Sequence, residues 1–311
     1  MRRATIGSSH HRPGHIAASD SAAQAARKLL TAQYRVIRAN EQKAMRGVDS
    51  ESVHDIRVAV RRFRALLRIF RKPLAGTSAA RLTREVAALR RSLAPARDLD
   101  VWVGLLESKT VARRLRSDRA YGSYVRGLNA RHADRTSAVA ARLRAAPYRR
   151  LCARIERFLD EELAGEPARA GAAQPLDRFA RRQVVDAVRK VRKRRRTDLN
   201  VPSPELHRLR KACRTGRYVA EFFAPILPPT CGVLAAQLHR MATALGTIHD
   251  IDVGTSRSAR ETLLRAPASL LPVLQGLRRQ AVTRYRKIQA AAPWLTRERK
   301  LKKHLRKKRR R

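Results

Sequence analysis

Acidic residues are scarce in this chain: 25 Asp and Glu stand against 71 Lys and Arg in 311 residues, leaving a formal net charge of +46. Charge of that size opposes compaction, so the fold is expected to meet neutralising anions such as nucleic acid, polyphosphate or an acidic membrane face. Aromatic residues are few, fourteen in all, which supplies base-stacking platforms poorly. Cysteine is nearly missing, and Cys152, Cys213 and Cys231 show neither an even count nor a metal-ligand spacing. That excludes a disulfide scaffold and fits buried thiols in a reducing compartment. The N-terminus, Met1-Arg2-Arg3 and then polar residues through His15, lacks the apolar core of a signal peptide. The longest uncharged run, Phe222 to His239, is broken by Pro225, Pro228 and Pro229 and is too interrupted for a membrane span. A soluble cytoplasmic protein without membrane insertion is expected.

Alternation of β-branched residues is also scarce, while Ala, Leu and Arg dominate, so the pattern predicts an all-α chain. Helices are expected over 20–46, 51–71, 78–94, 97–107, 118–144 and 147–163, and again over 176–196, 204–223, 231–246, 251–265 and 268–291. Ser203-Pro204-Glu205 reads as a helix start, with Ser as N-cap, Pro at the first helical position and Glu in the first turn. The expected organisation is a disordered segment 1–18, a first helical bundle 19–163, a linker 164–175 rich in Ala, Gly and Pro, a second bundle 176–292, and a basic tail 293–311. The tail carries eleven Lys and Arg against one Glu from Arg297 onward, yet the rest of the chain keeps +36.

What the chain does have is a repeat. The segment from His54 to Arg64 and the segment from His207 to Arg217 each carry His, Arg, Arg, Arg at i, i+3, i+7 and i+10. A second pair, Leu93 to Val101 and Leu245 to Val253, follows at nearly the same separation, which argues for two duplicated bundles. On a helix, Val53, Ile56, Val60, Phe63, Leu67 and Phe70 fall in one apolar sector, and His54, Arg57, Arg61, Arg64 and Arg68 in another about 120° away. The basic stripe thus flanks the core face at the rim of a groove, over about 21 Å of helix axis. Its like-charge neighbours, Arg57/Arg61, Arg61/Arg64 and Arg64/Arg68, cost about 0.2–0.5 kcal/mol each, which argues against a merely solvated face. Arginine suits phosphate because its planar fork donates paired hydrogen bonds at any cellular pH, and histidine adds a donor that strengthens on protonation.

Asp98, Asp100, Asp250 and Asp252 lie in the second pair of repeated blocks. As metal ligands they would need further His and Asp partners; His249-Asp250 has the His-Asp step of helical phosphohydrolases, but the residue equivalent to His249 is Arg97, which cannot ligate. N-capping and salt bridges that hold the stripe arginines are the preferred roles, with no metal expected. Phosphate-binding Gly-x-x-x-x-Gly-Lys loops, Gly-x-Ser-x-Gly elbows, His-Glu-x-x-His helices and Glu-x-Glu-x-Lys elements do not occur, so no cofactor or catalysis is implied.

Taken together, His54-x-x-Arg57-Val58-x-x-Arg61-Arg62-x-Arg64, Arg97-Asp98-x-Asp100-Val101, His207-x-x-Arg210-Lys211-x-x-Arg214 and Asp250-x-Asp252-Val253 resemble the CHAD domain, the conserved histidine α-helical domain, over roughly residues 20–292. The resemblance implies two four-helix bundles related by approximate two-fold symmetry, with a basic cleft that binds inorganic polyphosphate and no catalysis of its own. Its ligands by position would be His54, Arg57, Arg61, Arg64, His207, Arg210, Lys211, Arg214 and Arg217, and Arg68 extends the first stripe. Thr215 and Gly216 stand where the first repeat has Arg62 and Phe63, and His249 where an Arg is expected. The expectation is a stand-alone polyphosphate binder, associated with polyphosphate granules or nucleoid through its basic tail. The competing expectation is a nucleic-acid-binding or nucleoid-associated protein that uses the same charge without discrimination.

Overall fold

The computed structural model describes residues 15–46, 50–164, 174–195, 199, 204–260, 266–295, 301 and 305, with the backbone alone at 50, 94–97, 133, 135, 136, 257, 259, 260 and 295. Among the described residues the fold is all-α, with eleven α-helices; the extended pairing present is one isolated bridge, Ser21 with Pro175. None of its helices is long and apolar enough to cross a membrane. The chain divides into two units that are not sequential halves: residues 1–92 with 139–179, and 93–138 with 180–311. Residues 93–138 therefore group with the second half of the chain, and most of the expected 164–175 linker lies outside the described residues.

In the first unit, α1 (Ala22–Met45) begins with a capping box: Gln24 N–H donates to Ser21 Oγ at 3.1 Å, and Ser21 N–H donates to Gln24 Oε1 at 2.8 Å. It packs along α2 (Ser50–Ile69), and it buries small and branched residues, Ala22, Ala25, Ala26, Leu29 and Leu30 among them. The apolar sector expected on α2 is the one that goes inside: Val53, Ile56, Val60, Phe63, Leu67 and Phe70 are each at most 4% exposed. Gly76, at φ 78°, supplies the left-handed backbone of the turn into α3 (Ala79–Ser92). Glu162 fixes that entry by accepting hydrogen bonds from the Ser78 backbone N–H (2.7 Å) and hydroxyl (2.6 Å). Helix α3 packs on α2, and the unit closes with α7 (Ala146–Arg157) and a π-helical turn, Phe158–Glu162.

The second unit holds α4 (Ala94–Leu106), α5 (Lys109–Leu115), α9 (Pro204–Phe223), α10 (Thr230–Arg260) and α11 (Leu270–Ala290). Helices α6 (Arg119–Arg144) and α8 (Leu176–Lys193) give most of their length to it. The seven-residue α5 is absent from the sequence expectation. Helix α9 begins at Pro204 as expected, with Ser203 itself outside the described residues. The expected pair 231–246 and 251–265 is one continuous helix, α10. The look-alike sequence around Leu93 instead sits at an interruption between α3 and α4, two residues before Pro95, whose missing N–H cannot bond to the preceding turn. At the equivalent of Pro95 the second repeat has Thr247, which keeps its N–H and donates its hydroxyl to Thr243 O at 3.3 Å. Gly216, which replaces Phe63, is buried against α10: a Cβ there would lie 3.2 Å from Leu238 Cδ1, so its absence lets α9 and α10 approach closely.

Of the expected disordered segment 1–18, residues 1–14 lie outside the described residues. Ile16 is buried, and Ala17 N–H donates to Asp20 Oδ2 at 2.8 Å. In the expected tail, Trp294 Nε1 donates to Gln237 Oε1, Arg181 donates to the carbonyl of Leu305, and Leu301 and Leu305 are buried.

A core cluster in the second unit gathers Trp102, Leu106, Tyr121, Tyr124, Ile251 and Leu274. Trp102 Nε1 donates to Tyr124 Oη at 3.0 Å, which holds the indole across Gly254 of α10. A Cβ at Gly254 would sit 2.1 Å from the indole. Gly→Ala inside a helix ordinarily gains about 0.5–1 kcal/mol, but overpacking costs about 1–3 kcal/mol, and here the clash wins. Gly254→Ala is therefore expected to lower the unfolding free energy in a urea titration, and Trp102→Leu in the same chain to recover part of the loss.

Candidate polyanion-binding faces

Helix α2 positions the first basic stripe. Because its apolar sector is buried against α1 and α3, the adjacent sector is carried to the edge of the core: Arg57, Arg61 and Arg64 are half-buried, His54 and Arg68 exposed. Arg62 points the other way and is 3% exposed, its Nε donating to Gln33 Oε1 of α1 at 3.1 Å. It thus ties α1 to α2. Arg64 stands apart from its neighbours: its Nε is buried and has no hydrogen-bond partner among the described residues. Burial, then Arg68 on its own helix, then Arg90 and Arg91 at the end of α3, hold its guanidinium below the ordinary pKa, though it stays charged at any cellular pH. Arg90 and Arg91 were not expected at the site; the signal for them was a doublet in the last turn of the next helix.

Helix α9 builds the second face differently. His207, Arg210, Arg214 and Arg217 are half-buried and Lys211 is exposed. The His207 ring lies 5.0 Å from the His249 ring of α10, centroid to centroid. Arg210 forms an ion pair with Asp250 at 3.6 Å. Arg217 is engaged on three sides: its Nε donates to Glu221 Oε1 at 2.6 Å, its Nη1 donates to His239 Nδ1 at 2.6 Å, and its guanidinium lies 5.6 Å from the Tyr218 ring centre. A guanidinium has no acceptor, so His239 accepts through Nδ1 and carries its proton on Nε2.

The aspartates lie inside helices α4 and α10, so the expected N-capping role does not hold. Asp250 meets the stripe through Arg210. Asp252 instead receives two bonds from Arg278 of α11, at 2.7 and 3.3 Å, and Asp100 pairs with His132 of α6. Asp98 is exposed. Among the described residues no three His, Cys, Asp or Glu side chains converge as a metal-ligand set.

The second face is rich in depressed histidines. Burial, Arg210, His207 and Arg214 push His249 from 6.5 down to about 4. Burial first, then Arg210, Lys211 and Arg214, lower His207, and burial with Arg217 lowers His239 against the opposing pull of Glu221. In the ligand-free protein at neutral pH these rings are neutral donors and acceptors beside fixed cations, and an approaching anion would reverse the balance.

The family model for the CHAD domain matches residues 28–259. The crystal structure of the CHAD domain from the plant Ricinus communis is similar in fold, with TM-score 0.68 and 24% identity, covering 97% of this chain and 100% of that one. PptA from Streptomyces chartreusis is similar at TM-score 0.57 and 17% identity, covering 89% of this chain and 99% of that one. No curated protein matches the sequence.

The depressed histidines set a pH dependence. An unfolded chain would bind protons near pH 6.5 that folded His249 refuses until about pH 4, so this residue stabilises the fold above 6.5 and loses that contribution as pH falls toward 4. Thermal unfolding of wild type should therefore drop more steeply between pH 7 and pH 4.5 than that of His249→Gln. Parallel curves would show that His249 is not the depressed group.

Proposed function

The chain belongs to the CHAD domain family, and we propose that it binds inorganic polyphosphate, without catalysis, through the basic faces of α2 and α9. The ligands in this reading are His54, Arg57, Arg61, Arg64 and Arg68 on one face, and His207, Arg210, Lys211, Arg214 and Arg217 on the other. The observation that carries the reading is the half-burial of the stripe arginines. Six of them, Arg57, Arg61, Arg64, Arg210, Arg214 and Arg217, are partly withdrawn from water beside a packed core on helices rigid enough to fix their spacing. A guanidinium that has lost part of its hydration gains more from a phosphate oxygen than a fully solvated one does, because the local dielectric is lower. Several such contacts in a row favour a polymer of phosphates over a single anion, with counterion release supplying much of the affinity by analogy with DNA.

The net charge of +46 favours a second reading, indiscriminate binding of nucleic acid through the same surface and the cationic C-terminal residues. The two readings differ in what the chain end does. Deleting 297–311 would also remove buried Leu301 and Leu305, so the cleaner cut removes only Arg306 to Arg311. On the polyphosphate reading that cut weakens binding modestly. On the nucleic-acid reading it removes most of it. Attachment to polyphosphate granules or to the nucleoid belongs to this same cationic end.

Titration with long-chain polyphosphate and with a DNA duplex at several salt concentrations is the direct test. Arg57→Ala with Arg210→Ala is expected to reduce polyphosphate affinity by at least about tenfold, since a charge-assisted hydrogen bond contributes about 1.5–3 kcal/mol. Equal affinity for the two polymers, or indifference to the double substitution, would refute the reading.

A further inference from the structure

The two basic faces differ most at their C-terminal ends. In the second unit the last stripe arginine, Arg217, already has an anion: the Glu221 carboxylate one turn further along α9, at 2.6 Å. The sequence repeat puts Arg64 at the position of Arg217 and Arg68 at the position of Glu221. It puts Arg90 and Arg91 where α10 has Ala242 and Thr243. So where one face carries an internal carboxylate beside its terminal guanidinium, the other has exchanged that carboxylate for a cation and added two more from α3. Among the described residues no ion pair joins Arg64, Arg68, Arg90 or Arg91 to a carboxylate; Arg64 Nε is buried without an acceptor, as Arg210 Nε is on α9, but the Arg210 guanidinium is paired with Asp250 through Nη1.

We infer that Arg64 and Arg68 of α2 together with Arg90 and Arg91 of α3 form a phosphate subsite on the first unit that the second unit lacks, so that the two faces bind a condensed phosphate chain unequally. The inference rests on the polyphosphate reading and assigns it a strong end. A structural role explains less of the arrangement. Arginines in the last turn of α3 complement its helix dipole. That benefit does not require a half-buried third guanidinium beside them, whose buried and unmade hydrogen bond is destabilising. A phosphate group supplies what the cluster lacks: several acceptor oxygens on one centre, able to take bonds from Arg64 Nε and from the α3 pair at once, with charge that offsets their mutual repulsion. On α9 the Glu221 carboxylate performs that task within the chain, and it would repel a phosphate there.

The test uses the full-length protein and long-chain polyphosphate of defined length. Arg90→Ala/Arg91→Ala is compared with Arg113→Ala/Arg150→Ala, which removes the same charge from exposed positions on α5 and α7 outside both stripes. Circular dichroism verifies that both variants fold. The α3 variant is expected to lose about tenfold in affinity or more and to lower the slope of log K against log salt by roughly one to two, while the control changes little. Glu221→Gln is expected to raise affinity a few-fold by releasing Arg217 and removing a repelling charge. Wild-type binding with the α3 variant equal to the control, or an affinity unchanged or lowered by Glu221→Gln, overturns the inference and leaves the polyphosphate reading standing. Failure of the wild-type protein to bind polyphosphate at all overturns that reading itself.

Discussion

Half-buried guanidiniums at the rim of a packed helix face are the constraint on which the rest depends. The six apolar side chains that α2 buries contribute on the order of 10 kcal/mol together, while its like-charge neighbours cost on the order of 1 kcal/mol. Packing therefore wins easily, and the fold can hold a cationic row where repulsion alone would scatter it. The row in turn is placed by the packing: in a sector about 120° from the centre of the apolar face, Arg57, Arg61 and Arg64 are half-buried while His54 and Arg68 at its two ends are exposed. What results is a set of donors with reduced hydration on a helix face, unlike the fully solvated charges of a diffuse positive surface.

The look-alike segments solve one packing problem with different residues, and each difference has a local reason. Phe63 fills space on α2, whereas Gly216 vacates it so that α9 and α10 come together over Leu238. Pro95 belongs to a helix break and Thr247 to a continuous helix. Trp102 and Gly254, at equivalent positions in the repeat, meet in one unit as a large residue against the smallest. At the candidate faces, Arg68 gives way to Glu221, and Arg97 to His249. The first face is thus composed mainly of permanent charge. The second mixes permanent charge with three histidines of lowered pKa and with internal carboxylates.

Much of this was legible in the sequence because α2 and α9 are long, periodic helices, with most of the large apolar residues of α2 on one side. The period alone locates both the buried sector and the basic stripe beside it, and the all-α class follows from the same pattern. Contacts between helices were not legible. Arg90 and Arg91 join Arg64 only because α3 folds back on α2, and Glu221 matters only because its carboxylate reaches Arg217 rather than water. The N-capping part of the aspartates' expected role fails for a related reason: Asp250 and Asp252 sit inside the continuous helix α10, where the look-alike position of Pro95 is Thr247, while the expected salt bridge to a stripe arginine is present between Asp250 and Arg210. The C-terminal residues read as a charged tail, yet two leucines spaced four apart, Leu301 and Leu305, are buried. Charge density on either side of them masked that short apolar signal.

The most direct measurement is a crystal structure of the protein grown with a short condensed phosphate. The account predicts phosphate density against the stripe arginines of α2, strongest at Arg64, Arg90 and Arg91, with weaker density along α9. Phosphates bound elsewhere on the surface, with both stripes empty at saturating ligand, would contradict it.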